Sequence, residues 1–154
     1  MQIIIDGDAC NVIAPTERIA QKYNIPCHIY CDTKHLLESS YSQIHIVETR
    51  NDSADFAILN KCGRQDIVIT NDSGLAAMVL AKNAYAINSK GFAYDDSNIM
   101  SYLNNRYLRK RTIQKTHKLQ VKGIVPPDNV STTYYATLLD NMIKQVERNV
   151  IVNA

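Results

Sequence analysis

Met1-Gln2-Ile3-Ile4-Ile5-Asp6-Gly7-Asp8-Ala9-Cys10 decides the fold. Three consecutive branched aliphatics predict a strand buried on both faces, the habit of a central strand in a parallel α/β sheet. Two aspartates follow at once. In open α/β sheets ligands bind just beyond the carboxyl ends of the strands, so Asp6 and Asp8 stand where chemistry usually sits. Gly7 between them permits a tight turn and a close approach of backbone to ligand. The bland alternative is that Asp6 only ends the strand and Asp8 only caps the next helix.

Outward from that stretch, Ala14 to Tyr23 reads as a helix with Pro15 in its first turn, and Pro26 to Cys31 as a second strand. A strand, helix and strand in this order predict a right-handed crossover and a parallel pair. Ile44 to Glu48 is a short strand in which His45 alternates with apolar neighbours, which predicts an outward-facing histidine. A helix begins at Ser53, with Asp52 at its N-cap and Asp55 three residues on, the spacing of a capping box with Asp in place of Glu. Asp66 to Thr70 repeats the opening pattern, a β-branched strand that stops at the polar turn Asn71-Asp72-Ser73. The apolar helix that follows, to Ala81, is capped by Asp72 or Ser73. Ala84 to Asn88 is a fifth strand, Lys90 to Tyr94 a turn, and Asp95 opens a helix to about Arg109. Residues 110–129 lose periodicity, and residues 131–148 form a last helix. The fold expected is α/β, a three-layer α/β/α sandwich with a mostly parallel sheet of four or five strands in the order 3-2-1-4-5. A switch point then lies beside strand 1. At 154 residues one domain is expected, with the basic segment 106–122 and the last helix appended to its core.

Composition narrows the function classes. Hydrophobic residues at 45% and charged residues at 21% suit a soluble globular chain, and no apolar window reaches the length of a membrane span. The first residues read as a strand and not as a signal peptide, so a cytoplasmic protein with no membrane partner is expected. Cys10, Cys27, Cys31 and Cys62 make no C-x-x-C pair and no metal-ligand spacing with the histidines, so reduced, mostly buried thiols are expected and zinc is not. The net charge of +2 is uneven. Residues 1–100 carry 8 basic and 12 acidic side chains, whereas residues 101–122 carry 7 basic and no acidic ones. Those seven are Arg106, Arg109, Lys110, Arg111, Lys115, Lys118 and Lys122.

Asp6, Asp8, Asp52, Asp55 and Asp72 all fall at strand-to-helix turns, and in a parallel sheet such turns share one rim. Two carboxylates at 4 Å repel by about 4 kcal/mol at an effective dielectric near 20, so a fold that converges them must protonate some or bind a cation. Oxygen-only ligands favour Mg²⁺ or Mn²⁺. Such an ion lowers the pKa of a bound water and stabilises a departing oxygen in phosphodiester hydrolysis. No organic cofactor is expected.

Asp6-Gly7-Asp8-Ala9-Cys10, Asp52-Ser53-Ala54-Asp55-Phe56, Val68-Ile69-Thr70-Asn71-Asp72-Ser73-Gly74-Leu75-Ala76, Lys90-Gly91-Phe92-Ala93-Tyr94 and Asn105-Arg106-Tyr107-Leu108 resemble, in order and spacing, the YaiI/YqxD-like family of bacterial proteins. The resemblance spans most of residues 3–123. That family looks related to the PIN-like and NYN nuclease superfamily, whose members cluster acidic residues around Mg²⁺ or Mn²⁺ and cut RNA. By this resemblance the chain is a PIN-like domain. Asp6, Asp8, Asp55 and Asp72 fall on the family's acidic positions, as catalytic residues and metal ligands, with Asp52 as a further ligand. Asn11 stands where the family usually has proline and resembles a polar residue of NYN-type sites; Asn71 and Ser73 would orient waters or phosphate. Near Lys122-Gly123 this chain has Ile124-Val125-Pro126-Pro127-Asp128, where the family tends to a glycine- or proline-rich run with a phenylalanine. The implied function is a metal-dependent ribonuclease whose seven-residue basic run holds the RNA backbone. The alternative is a non-catalytic module of the same fold that binds nucleic acid or a partner protein. A phosphatase of small metabolites is a third reading, compatible with the same acids but without a phosphorylatable-aspartate motif.

Overall fold

Ile3, Ile4 and Ile5 are fully buried because the strand they form, β1 (Ile3–Asp6), has neighbours on both edges and helices on both faces. The computed structural model describes residues 1–32, 37–48, 53–105 and 132–152, with the side chains of Asp8, Cys10 and Thr132 outside that description. β1 pairs in parallel with β2 (Cys27–Asp32) on one side and with β4 (Ile67–Ile69) on the other. β3 (Gln43–Val47) extends the sheet beyond β2, and β5 (Tyr85–Asn88) extends it beyond β4, both in parallel. β6 (Phe92–Tyr94) closes the far edge in antiparallel pairing with β5, giving the order β3-β2-β1-β4-β5-β6. The strand order read from sequence therefore holds, and the topology reverses beside β1.

The sheet has six strands and not four or five, because the stretch read as a turn from Lys90 to Tyr94 is itself a hairpin arm. Gly91 takes φ 96°, a left-handed conformation that glycine adopts without strain, while its N–H and the Lys90 N–H bond the Asn88 carbonyl and side chain. Phe92 then stacks on Tyr102 at 4.8 Å, and Tyr94 meets both rings edge-on.

Alternation along each strand sorts side chains onto two faces. One face carries Ile3, Ile5, Ile29, Ile67, Ile69 and Ile87 and is covered by α1 (Ile13–Lys22) and the C-terminal α5 (Thr132–Val152). The other carries Ile4, Tyr30, Val68, Ala86 and Tyr94, under α2 (Ser53–Lys61), α3 (Ser73–Ala81) and α4, helical at residues 99–105. This is the three-layer sandwich expected. The last helix, expected as an addition to the core, is part of it: Tyr135, Leu139, Ile143 and Val146 are almost wholly buried. The Tyr135 hydroxyl and Thr16 Oγ1 lie 2.7 Å apart. On the outer side of the same contact, Asp140 accepts from the Tyr23 hydroxyl at 2.6 Å and pairs with Lys144 at 3.0 Å and Lys22 at 3.3 Å. Those partners, the tyrosine hydroxyl foremost, hold the Asp140 carboxyl down at about 2. No described helix is long and apolar enough to cross a membrane.

Candidate active site

β1 ends on Asp6, and the sheet register fixes what lies beside it. Asp6 pairs with Tyr30 and Tyr30 with His45, so these three form one row across β1, β2 and β3, and Thr70, the residue after β4, lies beside Asp6. Asp6 follows Ile4 by two residues and so belongs to the face under α2 and α3. It is buried, 5% exposed. Its Oδ2 accepts a hydrogen bond of 2.9 Å from the Thr70 hydroxyl, and that same Oγ1 accepts one of 3.0 Å from the Asp72 N–H. Thr70, fully buried, thereby ties the carboxylate at the end of β1 to the turn at the end of β4.

Asp72 begins α3. Its extended backbone and short carboxylate suit an N-cap, and Oδ1 accepts from the Gly74 N–H at 2.8 Å and the Leu75 N–H at 3.2 Å. The choice between Asp72 and Ser73 as cap is thus settled for Asp72, while Ser73 is the buried first residue of the helix. Asn71 Oδ1 accepts from both the Ser89 N–H (3.0 Å) and the Ser89 hydroxyl (2.8 Å), clamping the end of β4 to the β5–β6 turn. Asp55 is half-buried in the first turn of α2, on the same face of the sheet as Asp6. Thr70 thus joins Asp6 and Asp72 at the ends of β1 and β4, and Asp55 stands at the start of the helix that covers the same face.

Beyond Asp6 the chain runs as a 3₁₀ segment, Gly7–Val12, kinked at Ala9. Asp8 lies in it with its side chain undescribed, and Asn11 is exposed on it. Gly7 is required by a protein neighbour: a Cβ there would stand 2.7 Å from the Tyr30 carbonyl oxygen and 3.1 Å from Cys31. Asp52 and the whole basic run, Arg106, Arg109, Lys110, Arg111, Lys115, Lys118 and Lys122, lie outside the described residues.

Two residues of this rim were not singled out by sequence. Thr70 stands after the three apolar residues Ile67, Val68 and Ile69 and reads as the last β-branched residue of the strand; only its hydrogen bond to Asp6 gives it a task. Asp32 closes β2 two residues past Tyr30, on the face that carries Asp6. Its signal was a strand ending in aspartate, the same one that marked Asp6. His45, expected to face outward, instead lies half-buried on the α2 side. Its Nε2 and the His28 Nδ1 share a hydrogen bond of 2.9 Å, and its ring stacks on Tyr30 at 4.5 Å. Burial first, then the positive Lys61, pushes both imidazoles below the ordinary histidine range; the pair also disfavours charge on His28, against a small opposing pull from Asp66. Cys27 and Cys62 are buried thiols pushed up to about 11, chiefly by burial.

The donors at the rim are carboxylate oxygens with threonine, serine and asparagine around them, which is the chemistry of a hard, oxygen-preferring dication. Among the described residues, no group of three His, Cys, Asp or Glu side chains is close enough to hold an ion.

The chain matches, over residues 4–145, the profile of the family described as "Uncharacterized BCR, YaiI/YqxD family". It is similar to the UPF0178 protein of Clostridium acetobutylicum, 44% identical over 123 residues that make up 80% of this chain and 83% of that one. The UPF0178 proteins of Clostridium kluyveri and Clostridium tetani are 46% identical over 111 residues and 47% identical over 108 residues. These cover 72% and 70% of this chain, and 73% and 74% of theirs. No solved structure matches.

Proposed function

The chain belongs to the YaiI/YqxD family, and from that premise we propose that it is a metal-dependent nuclease acting on RNA. The observation that carries the reading is the Asp6–Thr70–Asp72 link, a buried carboxylate held in one orientation at the switch point of an open parallel sheet. Ligand sites of such sheets lie there. Asp6, Asp8, Asp52, Asp55 and Asp72 would hold Mg²⁺ or Mn²⁺, which supplies an acidified water and charge stabilisation for phosphodiester hydrolysis. Thr70 serves as a positioning residue, since its hydroxyl bonds Asp6 Oδ2 while accepting from the Asp72 N–H. Asn71 and Ser73 would orient waters or phosphate beside the start of α3, whose Gly74 and Leu75 N–H groups are already taken by Asp72. The basic run from Arg106 to Lys122 draws the polyanion towards a rim that would otherwise repel it, through backbone contacts that carry no sequence information.

One observation favours a second reading, a non-catalytic binding module. Asp72 already spends one oxygen on two backbone N–H groups, and an acid that only caps a helix needs no metal. Hydrolysis of labelled RNA by purified protein, beside Asp6→Asn and a chelator-treated sample, separates the two. The nuclease reading expects cleavage that both treatments abolish; cleavage untouched by both belongs to a contaminant. Retained RNA binding with no heat on titrating Mn²⁺ supports the module.

A further inference from the structure

The edge of the sheet opposite β6 is β3, and its sequence is Gln43-Ile44-His45-Ile46-Val47. Edge strands offer a row of backbone donors and acceptors to any second strand, and proteins usually blunt them with lysine, proline or a bulge. β3 has none of these. It carries no charged residue, pairs with β2 in unbroken register over its whole length, and among the described residues is the last strand on its side. It also exposes an isoleucine. Ile46 is 57% exposed on the face where its neighbour Ile44 packs into the α1 and α5 core.

The stretch Ile44-His45-Ile46 reads the same in both directions. Antiparallel pairing of two copies about a two-fold axis through His45 sets Ile44 opposite Ile46 of the second copy, twice, and His45 opposite its own equivalent. Side-chain alternation then gathers all four isoleucines on one face, where each exposed Ile46 is covered by an Ile44. A one-residue slip breaks this match and turns the apolar set to the wrong face. An isologous two-fold contact of this kind closes on itself.

We propose that β3 is a self-association edge, through which two copies of this chain join their sheets into one continuous sheet with His45 on the two-fold axis. The pairing is independent of the acidic rim and needs nothing from it. Five residues give a ladder only about 17 Å long, shorter than the contact line of a standard interface, so the dimer dissociates on dilution. Because the axis stands perpendicular to the sheet, the carboxyl edges of the two halves point in opposite directions. Each copy keeps its own rim open.

Sedimentation equilibrium over a dilution series tests the proposal with three proteins. The wild type is expected to pass from dimer to monomer. Ile46→Lys, at an exposed position that the monomer tolerates, is expected to raise the dimer dissociation constant by about tenfold or more. Ile151→Lys, in the exposed apolar end of α5 where Ile151 is 75% exposed, is expected to change nothing. A wild type that stays monomeric at every concentration overturns the proposal, as does a dimer that Ile46→Lys leaves intact or that Ile151→Lys dissolves. The register has its own readout: under mild oxidation His45→Cys should give a disulfide linking position 45 to position 45, while Ile46→Cys should not give its 46-to-46 counterpart. The reverse pattern excludes the two-fold axis through His45.

Discussion

Thr70→Val removes one hydroxyl and keeps the side-chain shape, so it isolates the link between Asp6 and Asp72. The hydroxyl donates to a buried carboxylate at 2.9 Å and accepts from a backbone N–H at 3.0 Å. A hydrogen bond to a charged group contributes about 1.5–3 kcal/mol and a neutral one about 1 kcal/mol. The substitution leaves both partners in place with neither satisfied by Thr70, and Asp6 is only 5% exposed, so water replaces little of the loss. A destabilisation of about 2.5–4 kcal/mol follows, a large part of a typical domain's 5–15 kcal/mol. Thr70→Ser is the control, since it keeps Oγ and gives up one methyl group, at about 1 kcal/mol. With a urea slope of about 1–3 kcal/mol/M, the Val and Ser variants should differ in unfolding midpoint by roughly 1 M. In an Asp6→Asn background the difference should shrink, because the charged acceptor is gone. If Val and Ser unfold within about 0.5 kcal/mol of each other, Thr70 does not hold Asp6, and the rim loses the contact on which its geometry rests.

Two further outcomes are expected. Asp140→Asn should lower stability at neutral pH by about 1 kcal/mol, because its pairs with Lys22 and Lys144 are partly open to solvent and screened. In the wild type that contribution is full above the ordinary carboxylate value of 3.8 and is lost as the pH falls towards about 2; an Asn variant with the same acid-unfolding curve would refute the assignment. His28 and His45 titrate below the ordinary value of 6.5, so the unfolded chain binds protons that the folded chain does not. Stability should be full above that value and decline below it until the folded values are reached, seen as a lower urea midpoint at about pH 5 than at about pH 7.5. His45→Gln should flatten the dependence, and an unchanged slope would assign it to other groups.

The parallel core was legible because Ile3-Ile4-Ile5 and Ile67-Val68-Ile69 are runs that only a doubly covered sheet can bury, the first stopping at Asp6 and the second at the polar turn Asn71-Asp72-Ser73. A cap at Asp72 or Ser73 followed from local chemistry, and the hydrogen bonds to Gly74 and Leu75 single out Asp72. What could not be read depended on contacts distant in sequence. β6 is three residues long and gains its place from the stack of Phe92 on Tyr102, which no local pattern announces. Thr70 and Asp32 look like ordinary strand ends until register sets them beside Asp6. His45 alternated with isoleucines as a solvent-facing residue would, and its partner His28 lies 17 residues away on β2. Gly7 reads from sequence as a close approach of backbone to ligand, and the close approach in the fold is to the Tyr30 carbonyl on the neighbouring strand.

The Thr16–Tyr135 contact bridges 119 residues, and that separation bears on how the chain is made. On the ribosome, at about 5–20 residues per second, roughly 6–24 s pass between synthesis of α1 and of the helix that lies against it. In its later part, once Ile87 has been made, the face holding Ile3, Ile5, Ile67, Ile69 and Ile87 has α1 for cover but not α5. A nascent chain in this state presents a flat, aliphatic sheet surface, the form most prone to aggregate or to engage a chaperone. Translation speed through residues 88–132, after the last parallel strand and before α5, therefore sets how long that surface stays open.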